Sequence, residues 1–193
     1  MLFHSQVFII FFLPLIFLLY FYSNSLKIFN SHIILIIGGF IFYSWWNIHL
    51  APLIVTSILL NFYFSHLLIH SDYKKQKKTI LILSISFNIC FLAVFKYLDF
   101  AIQNINFLFN INIELIGLPF PLALSFVTFQ TIAYLVDCYD GNIKKIDLTK
   151  FSLFIIFFPQ LIAGPIVKYN EMMPQFISKK KKIINHKNIL IGL

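Results

Sequence analysis

The sequence predicts an all-α polytopic integral membrane protein, with about five to six membrane helices plus a re-entrant element. Three observations lead there. Of 193 residues, 60% are hydrophobic and only 11% are charged, whereas a soluble domain carries about 25% charged residues. The apolar residues lie in continuous runs, not in the polar–apolar alternation of an outer-membrane barrel. All 15 basic residues are lysine, and most sit at the ends of those runs, as the positive-inside bias of membrane helices requires. A nucleic-acid partner is excluded on the same ground, since no arginine is available to fork on guanine or phosphate. Disorder and a disulfide scaffold are excluded by hydrophobicity and by the presence of only two cysteines, Cys90 and Cys138.

A helix needs about 20 mainly apolar residues to cross the hydrocarbon core. Phe3–Tyr22 is the first candidate. Met1–Gln6 contains no Lys or Arg, so this run is a span rather than a cleaved leader. Ile28–Trp46, Leu50–Leu68 and Thr79–Phe95 follow. Leu98–Phe109 is short and interrupted by Gln103 and Asn104, which makes it an interfacial or tilted helix. Pro119–Val136 is opened by Pro119 and Pro121, and Phe151–Val167 is broken by Pro159 and by Gly164-Pro165.

The loops set the topology. Lys27, the group Lys74, Lys75, Lys77 and Lys78, and the group Lys144, Lys145 and Lys150 all fall on one side when crossings are counted. The charge bias makes that side cytoplasmic and puts the N-terminus outside. If Phe151–Val167 dips in and returns, Lys179–Lys182 is cytoplasmic too, and only Lys96 and Lys168 lie elsewhere. Irregular backbone at membrane depth survives only beside protein or a water-filled cavity, so a re-entrant element implies a site-forming cavity.

Strongly polar residues inside membrane segments are functional candidates. Gln130, Tyr134 and Asp137 are spaced i, i+4, i+7 and share one helix face, forming a polar seam that lines a cavity or bonds neighbouring helices. Ser125, Thr128 and Thr131, spaced by three, suit a close helix contact. His66 and His70 have the i, i+4 spacing of two metal ligands, but no third ligand is near, and they are expected to be interfacial; no metal site is expected. Lys96 and Asp99, i and i+3, are expected to pair. Tyr43, Trp45 and Trp46 are expected to form an aromatic belt at the end of the second span. No Gly-rich phosphate loop, nucleophile elbow or zincin motif is present.

Four stretches, read in order, carry a resemblance. They are Phe42-Tyr43-Ser44-Trp45-Trp46-Asn47, Phe95-Lys96-Tyr97-Leu98-Asp99-Phe100, Pro121-Leu122-Ala123-Leu124-Ser125-Phe126-Val127-Thr128-Phe129-Gln130 and Phe158-Pro159-Gln160-Leu161-Ile162-Ala163-Gly164-Pro165-Ile166. Together with Tyr134-Leu135-Val136-Asp137, they resemble the N-terminal half of the membrane-bound O-acyltransferase (MBOAT) family, in the branch of alginate and peptidoglycan O-acetyltransferases. The resemblance implies a partial MBOAT fold over residues 1–193, a single transmembrane domain in the bacterial cytoplasmic membrane. It implies O-acyl transfer from a cytoplasmic donor such as acetyl-CoA, with no bound cofactor, to hydroxyls of a cell-envelope polysaccharide.

It further implies a membrane-embedded catalytic histidine located beyond Leu193, so that no catalytic residue is expected in this chain. An alcohol with a pKa far above 7 needs its proton removed as it attacks, and imidazole suits that task. Ser125, Gln130, Tyr134, Asp137, Pro159, Gln160, Gly164 and Pro165 are the expected lining of the cavity or acyl path. Expected partners are the lipid bilayer, an envelope glycan and an extracytoplasmic acetyltransfer protein. A catalytically inactive membrane fragment or scaffold, and a small transporter, are the rival expectations.

Overall fold

The computed structural model describes residues 5–26, 31–71, 73–161 and 167–178. Every regular element among them is helical. A six-residue π-helical turn, Val7–Phe12, runs into α1 (Leu13–Leu26). Pro14 explains the widened turn: its ring pushes away the carbonyl four residues back and it offers no N–H. Then come α2 (Ser31–Trp46), a 3-10 turn (Ile48–Leu50), α3 (Ala51–His70), α4 (Lys74–Phe109), α5 (Leu124–Tyr139), α6 (Leu148–Ile156), α7 (Phe158–Leu161) and α8 (Tyr169–Ile177).

The chain divides into two compact units, Met1–Ile58 with Ile146–Leu193, and Leu59–Lys145. In the first, α2 packs on α1 and α6, and α8 packs on α6. In the second, α4 packs on α5. Two stretches, Ile48–His70 and Lys74–Phe109, are long and apolar enough to cross a membrane, and Val7–Ser23 and Ser31–Trp45 are shorter apolar helices.

Large apolar side chains cover the outer faces of α2, α3 and α4. On α2, Leu35, Gly38, Gly39, Phe42 and Tyr43 face inward, whereas Ile33, Ile37, Ile41 and Trp45, one turn apart, are all exposed. On α3, Ser57, Asn61 and Ser65 are buried while Val55, Leu59 and Tyr63 face out. On α4, Ser84, Asn88 and Ile102 are the buried positions, and Ile82, Leu83 and Ile89 are exposed. Apolar surface turned outward, with small polar groups placed inward beside apolar ones such as Ile54, Ile58 and Ile102, suits a lipid solvent.

Four expectations change in detail. Thr79–Phe95 and Leu98–Phe109 are not separate: α4 runs unbroken for 36 residues, because nothing from Lys74 to Phe109 is Gly or Pro. The segment opened by Pro119 and Pro121 becomes helical only at Leu124: the prolines disfavour helix at Leu118 and Phe120, and Ala123 just before the helix is left-handed. Tyr43 is not a belt residue: it is 2% exposed, on the face of α2 that packs inward, while Trp45 is 60% exposed. Lys96 does not pair with Asp99; its ammonium lies over the Tyr97 ring, 5.3 Å from the centroid, and Asp99 accepts backbone N–H groups of Ile116 and Gly117.

Ala123 caps the start of α5 with φ +55°, the left-handed region. An L-residue pays roughly 1–2 kcal/mol there and glycine does not. Glycine's greater freedom in the unfolded chain takes back part of the gain, so Ala123→Gly is expected to stabilise by about 0.5–1 kcal/mol. A raised Tm in detergent micelles checks it, and an unchanged or lowered Tm contradicts it.

Candidate functional site

In the first unit the chemistry-bearing feature is a broken helix. Asp147 starts α6 by accepting from the N–H groups of Thr149 at 2.9 Å and Lys150 at 3.2 Å, and Lys150 Nζ lies 3.6 Å from its carboxylate. Phe151, Leu153, Phe154, Ile155 and Ile156 are all buried. A continuing helix would need an N–H from Pro159 to the Ile155 carbonyl, and proline has none. The chain therefore leaves the helix at Phe157 (ψ 101°) and restarts as α7. The last carbonyls of α6 are thus left without intrahelical donors.

Gly39 of α2 meets this break. A Cβ on Gly39 would stand 2.1 Å from the Ile156 carbonyl oxygen, so only an α-hydrogen fits, pointing at that oxygen as a weak C–H donor. Phe8, Phe12, Phe42 and Phe158 surround the break, with centroids from 5.2 Å (Phe12–Phe158) to 6.1 Å (Phe8–Phe158). On α7, Gln160 is buried at 8% exposure while Pro159 is exposed. Tyr169 and Phe176 of α8 close against Phe154 and Phe157 at 5.4 and 5.1 Å. His32 Nε2 is 3.3 Å from the Phe176 carbonyl oxygen. Gly164 and Pro165 lie outside the described residues, as do Lys27, the Lys179–Lys182 run, His4 and His186.

In the second unit, α5 brings Gln130 and Tyr134 to one face, each 1% exposed, beside buried Thr128 and Thr131. Thr128 donates to the Leu124 carbonyl at 2.8 Å, which keeps its hydroxyl satisfied within its own helix. Ser125 is half-buried. Asp137, one turn beyond Tyr134, is half-buried and closes the end of α5: its carboxylate accepts from the Asn142 side chain at 3.1 Å and its carbonyl from the Asn142 N–H at 3.0 Å.

Sequence reasoning missed a polar clamp in this unit. Asn61 of α3 and Asn88 of α4 exchange two side-chain bonds, 3.2 Å and 2.6 Å, and Asn88 also donates to the Ser84 carbonyl at 2.8 Å. Each asparagine stands near the middle of an apolar stretch, and that position was the available signal. His66 and His70 stack at 4.1 Å between ring centroids and are exposed. Among the described residues no group of three His, Cys, Asp or Glu side chains could hold a metal.

Comparison with known proteins gives a consistent set. The chain is 37% identical to the peptidoglycan O-acetyltransferase of Helicobacter pylori, over 100% of this chain and 42% of that protein. It is 30% identical to the probable alginate O-acetylase AlgI of Pseudomonas syringae pv. tomato, over 91% of this chain and 35% of that protein. A teichoic acid D-alanyltransferase of Lacticaseibacillus rhamnosus is 27% identical over 58% of this chain and 27% of its own length. The chain thus spans at most 42% of the length of these curated relatives. No protein-family model and no solved structure matches it.

Proposed function

Because the chain belongs to the membrane-bound O-acyltransferase family, we propose that it forms part of an enzyme that acetylates hydroxyls of a cell-envelope polysaccharide. The observation that carries this reading is the likeness of the whole chain, at 37% identity, to a peptidoglycan O-acetyltransferase. A transporter or an inert scaffold is not favoured, since the relatives are named as transferases or acetylases.

In this reading the donor is a cytoplasmic acyl thioester such as acetyl-CoA. The acceptor hydroxyl attacks the acyl carbonyl, the C–S bond breaks as the C–O bond forms, and the hydroxyl proton ends on the departing thiolate. A histidine outside these 193 residues serves as the general base. Supporting this, among the described residues His49, His66 and His70 are exposed and His32 is engaged with the Phe176 carbonyl, while His4 and His186 lie outside them. The chain's own contribution is polar lining. In the second unit this is Gln130 and Tyr134, with Ser125 and Asp137 at the two ends of α5. In the first unit it is Gln160 beside the break at Pro159. A buried amide can donate to an acyl carbonyl or accept from a hydroxyl without carrying a charge into a low dielectric.

The same reading gives a multi-pass protein of the bacterial cytoplasmic membrane, five to six spans with a re-entrant α6–α7 segment and the N-terminus outside. A separate extracytoplasmic acetyltransfer protein is its partner. The exposed apolar side chains on the outer faces of α2, α3 and α4 support membrane residence.

Deleting the gene is expected to remove ester-bound acetate from one purified envelope glycan, and a restored copy to return it. Unchanged acetate overturns the reading. Gln130→Leu keeps the volume and removes the amide, so acetylation is expected to fall at least about tenfold, the effect of removing one positioned donor. Protein in the membrane must stay at the parental level, and full acetylation with Gln130→Leu removes Gln130 from that lining.

A further inference from the structure

We propose that the segment from Phe107 to Phe120 is a shallow membrane anchor. It lies in the headgroup region of the leaflet opposite the lysine-rich end of α4, with Asp99 and Asn106 holding its backbone in place. The inference rests on α4 spanning the membrane and concerns what its far end does.

Helix length comes first. Its 36 residues span about 54 Å, against about 30 Å of hydrocarbon. Lys74, Lys75, Lys77 and Lys78 hold the first turns at one headgroup layer. Counting about 20 residues from Thr79 reaches the far boundary of the hydrocarbon near Leu98 and Asp99. Everything from Phe100 onward must then either stand in water or lean into the interface, as a tilted helix does.

Composition decides between those two. Phe107, Leu108 and Phe109 are 83%, 71% and 70% exposed, and Ile111, Ile113, Leu115, Ile116 and Phe120 are exposed as well. Between Asp99 and Asp137 the one charged residue is Glu114, and no lysine occurs from Tyr97 to Ile143. So large and nearly uncharged an apolar surface marks a contact, not a solvated loop.

Hydrogen bonding then makes the interface workable. The segment 111–120 has no regular secondary structure, and irregular backbone away from bulk water needs other partners. Asn106 supplies two, accepting from the Ile113 N–H at 2.9 Å and donating to the Ile113 carbonyl at 2.8 Å. The Asp99 carboxylate supplies two more, accepting from Ile116 at 3.0 Å and Gly117 at 3.1 Å. Gly117 permits the turn with φ +63°. Four backbone groups are thus served by side chains of the helix, and the apolar side chains are left free to enter lipid.

The test uses the full chain in phosphatidylethanolamine–phosphatidylglycerol vesicles. A polarity-sensitive fluorophore is placed on Ile113→Cys in a Cys90→Ser background, and separately on native Cys90, which is exposed on α4 while Cys138 is buried. At position 113, lipids spin-labelled near the headgroup are expected to quench emission about twofold and aqueous iodide to quench little, as at an interfacial depth of about 5–10 Å. Iodide quenching at 113 with lipid quenching at Cys90 overturns the anchor alone. Iodide quenching at both positions means that α4 does not span, and the membrane reading falls with it. Protection that disappears on dilution into excess lipid means that a second copy covers the segment, and this too overturns the anchor. Asp99→Asn loses part of the backbone latch, so lipid quenching at 113 is expected to fall by about half with Cys90 unchanged. Equal quenching at 113 removes Asp99 from the device.

Discussion

Gly39→Val is expected to destabilise the protein by about 3 kcal/mol, at the upper end of overpacking costs, and to abolish activity. A Cβ at this position would come within 2.1 Å of the Ile156 carbonyl oxygen. That oxygen belongs to the backbone at the end of α6, so no rotamer change relieves the clash and α2 must move away from the break. Gly38→Ala is the matched control: its Cβ would meet Ile16 Cδ1 at 3.0 Å, the flexible tip of a side chain, and is expected to cost under about 1 kcal/mol. Thermal unfolding in micelles compares the two. Equal Tm values for Gly39→Val and the parent protein would remove the close approach from the account.

Asn88→Leu is expected to cost about 1–2 kcal/mol, because it takes away both of its bonds with Asn61 and leaves that buried amide short of partners. Replacing both asparagines by leucine should recover a substantial part of the loss, since two apolar groups then meet where two amides did. The double-mutant cycle is expected to give a coupling of about 1 kcal/mol. Strict additivity would mean that the clamp contributes nothing specific.

Most of the helical content was legible because the helices coincide with long, mainly apolar runs, and hydropathy sees those directly. The observed α2 and α3 lie close to the apolar runs Ile28–Trp46 and Leu50–Leu68. The interruption before Gln160 was legible too, because proline removes a donor wherever it stands. What stayed hidden depends on which side of a helix is inside. Tyr43 and Trp45 are two residues apart and chemically alike, yet one is buried and the other faces out. Nothing local distinguishes them; packing of α2 against α6 does. Lys96 and Asp99 had ideal i, i+3 spacing, but the carboxylate found two backbone donors from a loop 17 residues away in sequence, a contact no periodicity reports. For the candidate lining, spacing correctly put Gln130 and Tyr134 on one face, while Asp137 is drawn into the turn that ends α5 by Asn142.

The most direct test of the central claim is acyl transfer across the native membrane. Vesicles from cells that express this chain together with the histidine-bearing remainder of the enzyme, oriented with the cytoplasmic face accessible, receive acetyl-CoA labelled in the acetyl group, and ester-bound label is then measured on the envelope glycan. Alkali-labile label is expected in the glycan, present with the parent sequence and lost with Gly39→Val. Label that is absent, or that persists at the same level in vesicles lacking the gene, would contradict that claim.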